Sequence, residues 1–313
     1  MKVTKPILFI FLYTWCCTSC AQNHTQTSLS NTISADTLTT FMLPAIPPTL
    51  TIPEQRAQFL AAHYWDLINL TDTNYTHHPE ITEQGWVNFI DLLRLVQPDD
   101  AATALKKIIR QASTEKKSLL YFMQLAEKYL YEPNSPIRNE EYYLSVLQAV
   151  VDSPILTDAE KLRSNDQLQT IQLNQVGTRA NNFCYTQPSG QQQWLYQLKA
   201  PYTLLFFSNP ECHACLEAID QMTELEHLNR AIQQKQLIVL SIYPDEDVQS
   251  WKLNLDRYPK NWLHAYDKKQ VIKDKNLYDL KAIPCLYLLD KDKNVLLKDA
   301  TPAAVDDWLS HHP

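Results

Sequence analysis

The spacing of apolar residues changes character three times along the chain. Ile7 to Trp15 (ILFIFLYTW) is an apolar run behind Lys2 and Lys5, and Ala21 to Met42 is rich in Ser, Thr, Asn and Gln with no sustained period. From Pro53 to about Leu173, apolar positions recur at helical spacing. Beyond Gly177, short apolar runs of strand type alternate with amphipathic stretches. This pattern divides the chain into a leader at 1–19, a tether at 20–45, a helical domain at 46–173 and an α/β domain at 174–313.

Within the helical stretch, Thr51-x-Pro53-Glu54 opens the first helix, where proline is tolerated because its missing N–H has no partner there anyway. The second carries Trp86, Phe89, Ile90, Leu93 and Val96 at i, i+3, i+4, i+7 spacing and stops at Pro98. Asp99-Asp100 is expected to cap a third, a fourth runs from about Lys116 to Tyr131, Asn139 opens a fifth and Thr157-Asp158 a sixth. Six such helices suffice for an all-α bundle. Adjacent side chains diverge, so His77-His78 reads as a solvated loop pair and not a metal site. Tyr129, Tyr131, Tyr142, Tyr143, Trp65 and Trp86 read as core before they read as a ligand groove.

In the last stretch, Phe183-Thr186 and Trp194-Leu198 flank a Pro188-Ser189-Gly190 turn and predict a hairpin. Tyr202-Phe207 (YTLLFF) has the composition of a central strand buried on both faces. It runs into Ser208-Asn209-Pro210-Glu211-Cys212-His213-Ala214-Cys215, and an amphipathic helix with Leu216, Ile219, Met222 and Leu225 follows. A cysteine at a helix start meets free backbone N–H groups and the positive end of the helix dipole, which favour its thiolate. Cys215 lies one turn deeper on nearly the same face, within reach for a disulfide but shielded. Cys212 is therefore the attacking sulfur and Cys215 the resolving one. Gln236-Tyr243 predicts a second buried strand, helical segments follow near 246–257 and 268–280, and Ala282-Asp290 predicts a strand opened by Pro284. Val295-Leu297 predicts a last strand, and a helix around Trp308 closes the domain.

Composition removes several function classes. Only three glycines, Gly85, Gly177 and Gly190, occur and no two are close, so glycine-rich phosphate and dinucleotide loops are excluded. A net charge of −7 leaves no basic footprint for nucleic acid. Seven cysteines are unusual for such a chain, and their positions differ in meaning. A lone Cys-x-x-Cys is at most half a structural zinc site, and Cys184 and Cys285 are solitary, so no metal site is expected. Cys184 reads as packing; Cys285, directly after Pro284, reads as a buried spare thiol or as an accessory thiol to the pair.

Several of these motifs carry resemblances. Lys2 and Lys5, the apolar run and a small-residue zone form an export signal, since nine apolar residues are too few for a span that needs about twenty. Cys17-Thr18-Ser19-Cys20 resembles the lipobox of bacterial lipoproteins, although Cys17 stands where that motif prefers Leu; the resemblance implies lipid attachment at Cys20. Cleavage before Cys20 removes two lysines and no acids, taking the formal charge from −7 to −9. The acyl chains must then do the anchoring.

The Cys-x-x-Cys at a strand-to-helix junction and the strand-opening proline about seventy residues later resemble the thioredoxin family. That resemblance implies that Pro284 is cis and packs against the Cys212–Cys215 disulfide, with Ile283 pairing to an extended substrate. His213 and Ala214 shape the site between the cysteines. Gly177-Thr178-Arg179-Ala180-x-x-Phe183 and Leu204-Leu205-Phe206-Phe207-Ser208-Asn209-Pro210-x-Cys212 look like the TlpA/ResA-type branch. The whole chain is similar to the DUF5106 thioredoxin-like lipoproteins of Bacteroidetes. It departs from thioredoxins in having Glu211 in place of Trp before the first cysteine and His213-Ala214 in place of Gly-Pro. Phe206 also replaces the buried Asp that accepts the second thiol's proton. Protonated His213 favours the thiolate and Glu211 opposes it, so they set no redox direction.

The expectation is a thioredoxin-like α/β domain preceded by an all-α helical domain, facing the periplasm from a lipid anchor. Its redox-active Cys212–Cys215 disulfide needs no cofactor. Its partners are protein thiols or disulfides of the envelope and a membrane electron donor or acceptor. The competing expectation is a lipoprotein that binds a partner through its helices and uses the thioredoxin fold as a docking platform. Cys20→Ala should move the protein from the membrane pellet to the soluble fraction on cell fractionation; retention in the pellet would contradict lipidation.

Overall fold

The computed structural model describes residues 41–76 and 78–312. The export signal, Cys20, nearly all of the tether, and His77 lie outside the described residues. The helical part comprises α1 (Pro53–His63), a single turn α2 (Thr73–Thr76), α3 (Gln84–Leu93), α4 (Pro98–Ala112), α5 (Lys116–Ala126), α6 (Glu140–Val151) and α7 (Asp158–Ile171). Wider π-type turns at Pro79–Glu83 and Glu127–Tyr131 precede α3 and extend α5. Pro98 takes the first helical position of α4, with Gln97 as N-cap. Asp99 and Asp100 therefore do not cap the helix as expected. They sit inside its first turn, facing the positive end of the dipole.

The buried faces of these helices meet in one core, with Trp86, Phe89, Leu105, Ile109, Leu119, Phe122 and Leu130 fully enclosed. Trp65 and Tyr143 are buried, Tyr129, Tyr131 and Tyr142 partly so, and all of them pack on this core. Phe41 belongs to it too: its ring lies 5.1 Å from those of both Tyr64 and Trp65. A Cβ on Gly85 would come within 2.7 Å of it. Phe41, within the stretch expected to be tether, packs on this core because an aromatic side chain there gains more from burial than from solvent.

The second part carries β1 (Cys184–Thr186), β2 (Gln192–Trp194), β3 (Tyr202–Phe207), α8 (His213–Glu224), α9 (Glu226–Gln233), β4 (Leu237–Tyr243), α10 (Val248–Leu253), β5 (Leu263–Tyr266), α11 (Val271–Asp274), β6 (Cys285–Leu289), β7 (Val295–Lys298) and α12 (Pro302–His311). The strands form one sheet in the order β2-β1-β5-β4-β3-β6-β7. β3, β4 and β5 are parallel, β6 runs antiparallel beside β3, and β7 runs antiparallel to β6 at the sheet edge. One face packs Leu204, Phe206 and Leu286 against α8, α9 and α12. The other packs Leu205, Phe207, Cys285 and Tyr287 against Phe183, Ile272 and Tyr278.

Two details differ from the pattern-based expectation. The second hairpin arm is Gln192–Trp194, and Leu195–Gln197 forms a 3-10 turn instead of continuing it. Leu195 and Leu198, both buried, have the i, i+3 spacing of a turn and not the i, i+2 spacing of a strand face. Near 268–280 only Val271–Asp274 is helical, and β5 occupies a stretch with no alternation to reveal it. Among the described residues, no helix is long and apolar enough to cross a membrane.

Asn139 caps α6 by accepting the Tyr142 N–H at 3.0 Å. Asn139→Ala should lower stability by about 1 kcal/mol, read as a lower urea midpoint at unchanged slope; an unchanged midpoint would rule the cap out as a contributor.

Candidate active site

Because β3 is apolar on both faces, it is held rigidly in the middle of the sheet, and the loop after it starts from a fixed point. Ser208, the first residue beyond the strand, still bonds through its N–H to the Ile242 carbonyl at 3.0 Å. Asn209 then folds the loop: its side-chain oxygen accepts the Glu211 N–H at 2.8 Å and its backbone oxygen accepts the Cys212 N–H at 3.0 Å. Arg257 holds the Pro210 carbonyl at 2.8 Å. These bonds deliver Cys212 in extended backbone geometry, and it becomes the N-cap of α8.

A helix N-cap needs an acceptor for the free N–H groups of the first turn. Here the acceptor is sulfur: Cys212 Sγ takes the Cys215 N–H at 3.3 Å. Cys212 is half-buried, whereas Cys215 is fully enclosed. Both are free thiols in this structure. Burial pushes the Cys215 thiol well above its ordinary pKa, the neighbouring Cys212 sulfur pushes the same way, and the Asn209 backbone N–H acts against both. Cys215 is thus a protonated, sheltered thiol beneath a half-exposed one.

On the other side of the sulfur stands the turn into β6. The Ile283–Pro284 bond is cis. The Ile283 carbonyl lies 3.6 Å from Cys212 Sγ and accepts its S–H, although the two residues are 71 positions apart. Cys212, Cys215, Ile283 and Pro284 therefore meet in one place. His213 and Ala214, between the cysteines, are exposed. The His213 ring turns outward, 3.5 Å from Glu217 on the next turn.

Cys285 does not join this group. It is buried on the face of the sheet opposite α8, and its thiol points to the Asp279 carbonyl at 3.7 Å and the Asp299 carboxylate at 3.6 Å. Burial and the Asp299 charge hold it well above its ordinary pKa. The accessory-thiol expectation is corrected accordingly, since successive strand residues face opposite sides. Cys184 lies in β1 away from the pair. Among the described residues, no three His, Cys, Asp or Glu are placed to hold a metal ion.

Phe206, at the position expected to hold a buried acid, packs edge-on against Trp262 with ring centres 5.7 Å apart. The polar groups near the cysteines come from elsewhere. Asp245 accepts the Asn209 amide at 2.8 Å and pairs with Lys273, and its charge also raises Cys215. Ser208 shares a buried contact with the Tyr258 hydroxyl at 3.2 Å. Sequence reading missed Asp245 and Tyr258. Asp245 lies just past the carboxyl end of a parallel strand, the place where α/β sheets carry their sites, and that rule would have singled it out.

The family described as a domain of unknown function, DUF5106, matches residues 19–174, and one described as thioredoxin-like matches residues 201–295. A solved thioredoxin-like protein from Bacteroides caccae is 53% identical over 87% of this chain and 99% of that one, with a TM-score of 0.85. The C-terminal domain of an uncharacterized protein from Bacteroides fragilis is 53% identical over 44% of this chain and 98% of its own (TM-score 0.43). The thioredoxin domain of a thiol-disulfide oxidoreductase from Bacteroides vulgatus is 17% identical over 44% and 97% (TM-score 0.40). No functionally curated protein matches the chain.

In the dithiol form, iodoacetamide at about pH 7.5 should modify Cys212 at least about tenfold faster than Cys215, because access and thiolate fraction govern the rate. Peptide mass spectrometry reads the two sites, and comparable rates would contradict the geometry.

Proposed function

Since the chain belongs to the DUF5106-type thioredoxin-like proteins of Bacteroidetes, we propose that it is an exported, lipid-anchored thiol:disulfide oxidoreductase acting on envelope proteins. The observation that carries this reading is the half-exposed Cys212 sulfur at the start of α8, 3.3 Å from the Cys215 N–H and 3.6 Å from the Ile283 carbonyl. A sulfur so placed is reachable by a partner protein. In this reading an extended substrate strand docks beside it on the Ile283 backbone.

In the reducing direction, the Cys212 thiolate attacks one sulfur of a substrate disulfide. A mixed disulfide forms and the other substrate sulfur leaves as a thiolate. The Cys215 thiol then gives up its proton and attacks Cys212 Sγ. This forms the Cys212–Cys215 disulfide and releases the second substrate sulfur. The substrate disulfide is reduced to two thiols and the dithiol pair is oxidised by the same two electrons; run backwards, the sequence donates a disulfide. A second thiol or disulfide protein, at or in the membrane, resets the pair. Burial of Cys215 suits this order, because the sheltered thiol stays protonated until the mixed disulfide brings an electrophilic sulfur onto it. Nucleic acid is no partner of so acidic a chain.

The test uses the full chain. The reduced protein should reduce insulin disulfides, and Cys215→Ala should accumulate mixed disulfides on Cys212 that mass spectrometry identifies. If Cys212→Ser traps the same adducts, the two roles are misassigned. Absence of turnover together with an inert Cys212 would return the chain to the partner-binding reading.

A further inference from the structure

The loop that presents Ile283 and Pro284 is gripped from the helical part of the chain, not only from its own sheet. Lys281, two residues before Ile283, is largely buried. Its ammonium sits 2.9 Å from the Asp279 carboxylate of the same loop, 3.5 Å from Glu140 Oε1 at the start of α6, and 4.2 Å from the centre of the Tyr131 ring. The Glu140 contact is ionic and not a hydrogen bond at that distance. The other Glu140 oxygen lies 2.9 Å from Lys298 Nζ at the end of β7. Lys298 has a side-chain exposure of 5%, and its remaining protons go to the Ile171 and Leu173 carbonyls at 2.6 and 2.9 Å, at the C-terminus of α7. Next to it, Asp299 pairs with Arg138 at 2.9 Å.

These contacts converge on one short segment. Cys285, two residues after Ile283, directs its thiol to both the Asp279 carbonyl and the Asp299 carboxylate. The chain on each side of Ile283–Pro284 is therefore pinned to the helical part: upstream through Lys281 to Glu140 and Tyr131, downstream through Cys285 and Asp299 to Arg138. Surface ion pairs hold little, but pairs shielded from water, as those of Lys281 and Lys298 are, resist displacement, since a lone charge left there has no water to replace its partner. Docking of an extended substrate strand on the loop tolerates errors of only about 0.5 Å.

We propose that Glu140, with Tyr131 and Arg138, makes the helical part the positioning element of the Ile283–Pro284 loop, so that substrate-strand docking depends on it. The inference rests on the redox reading above for its consequence, though not for its geometry. Glu140 is a positioning residue that acts through Lys281 and Lys298 and touches no reacting atom.

The test is Glu140→Gln in the full chain, which keeps the side-chain shape and removes the charge shared by the two lysines. Amides from 281 to 286 should exchange with solvent about tenfold faster while those of β3 and β4 do not change, since the loop alone is released. KM for insulin should rise about five- to tenfold with kcat within about twofold, and iodoacetamide should still modify Cys212 at the wild-type rate, because the small reagent needs no strand docking. Glu140→Asp should recover part of the KM. If Glu140→Gln does not fold, Tyr131→Leu, which removes the ring under Lys281 and keeps an apolar contact, must give the same loop-exchange result. Unchanged exchange at 281–286, or insulin and iodoacetamide rates falling together, would overturn the proposal. Should the wild-type protein fail to reduce insulin, the redox reading falls while the exchange result still decides the positioning.

Discussion

The antiparallel pairing of β3 with β6, in a register that sets Phe207 opposite Cys285, is the constraint on which the site depends. β3 ends where the cysteine loop begins, and β6 begins where the cis proline ends. Once those termini are opposite each other, Cys212 and Ile283 meet without further adjustment. A slip of one residue would exchange the faces of β6, putting Cys285 on the α8 side and Leu286 against Tyr278. Both faces of β6 are enclosed, so what resists a slip is the fit of its side chains, since Cys285 and Tyr287 on one face and Leu286 and Leu288 on the other differ in size and shape.

The second organising feature is how two folds share one set of charges. Lys298 would be an expensive residue to enclose on its own, but its ammonium replaces water with two helix-terminal carbonyls and one carboxylate. One carbonyl, that of Ile171, ends α7 and also accepts the Gln175 amide at 2.6 Å; the other, that of Leu173, lies just beyond the helix. One cation therefore completes a helix in the first part and a strand in the second. The same Glu140 that balances it also faces Lys281. The helical part is thus tied to the face of the thioredoxin-like part that holds the Ile283–Pro284 loop.

The site departs from familiar thioredoxins in where its polar groups lie. With Phe206 in the core, no acid stands beneath Cys215 on β3. A carboxylate reaches the neighbourhood from the end of β4, through Asp245 and the Asn209 amide. Lys273 pairs with that carboxylate and so restrains its field. His213, whose position suggests an influence on the thiolate, spends its ring on Glu217 instead. The Cys215 thiol is raised by burial first and by the neighbouring Cys212 sulfur second.

By itself the sequence determined the elements whose signals are local. The helical period, the Asn139 and Thr157 caps, the doubly buried β3, and the cysteine pair at a strand-to-helix junction all follow from spacing and residue type within a few turns of chain. The proline before β6 was legible for the same reason, and its partnership with the cysteines came from family resemblance. β5 was not legible, because four residues that include a histidine carry no period. Nor was the short second arm of the hairpin, where tertiary burial of Leu195 and Leu198 turned a strand into a turn. Only the tertiary structure decided what lies far apart in sequence: that Cys285 faces away from the pair, that Asp245 and Tyr258 stand near it, and that Glu140 and Tyr131 reach the loop carrying Ile283. Such contacts depend on strand order, register and the docking of one core on another, and no pattern within a single segment encodes them.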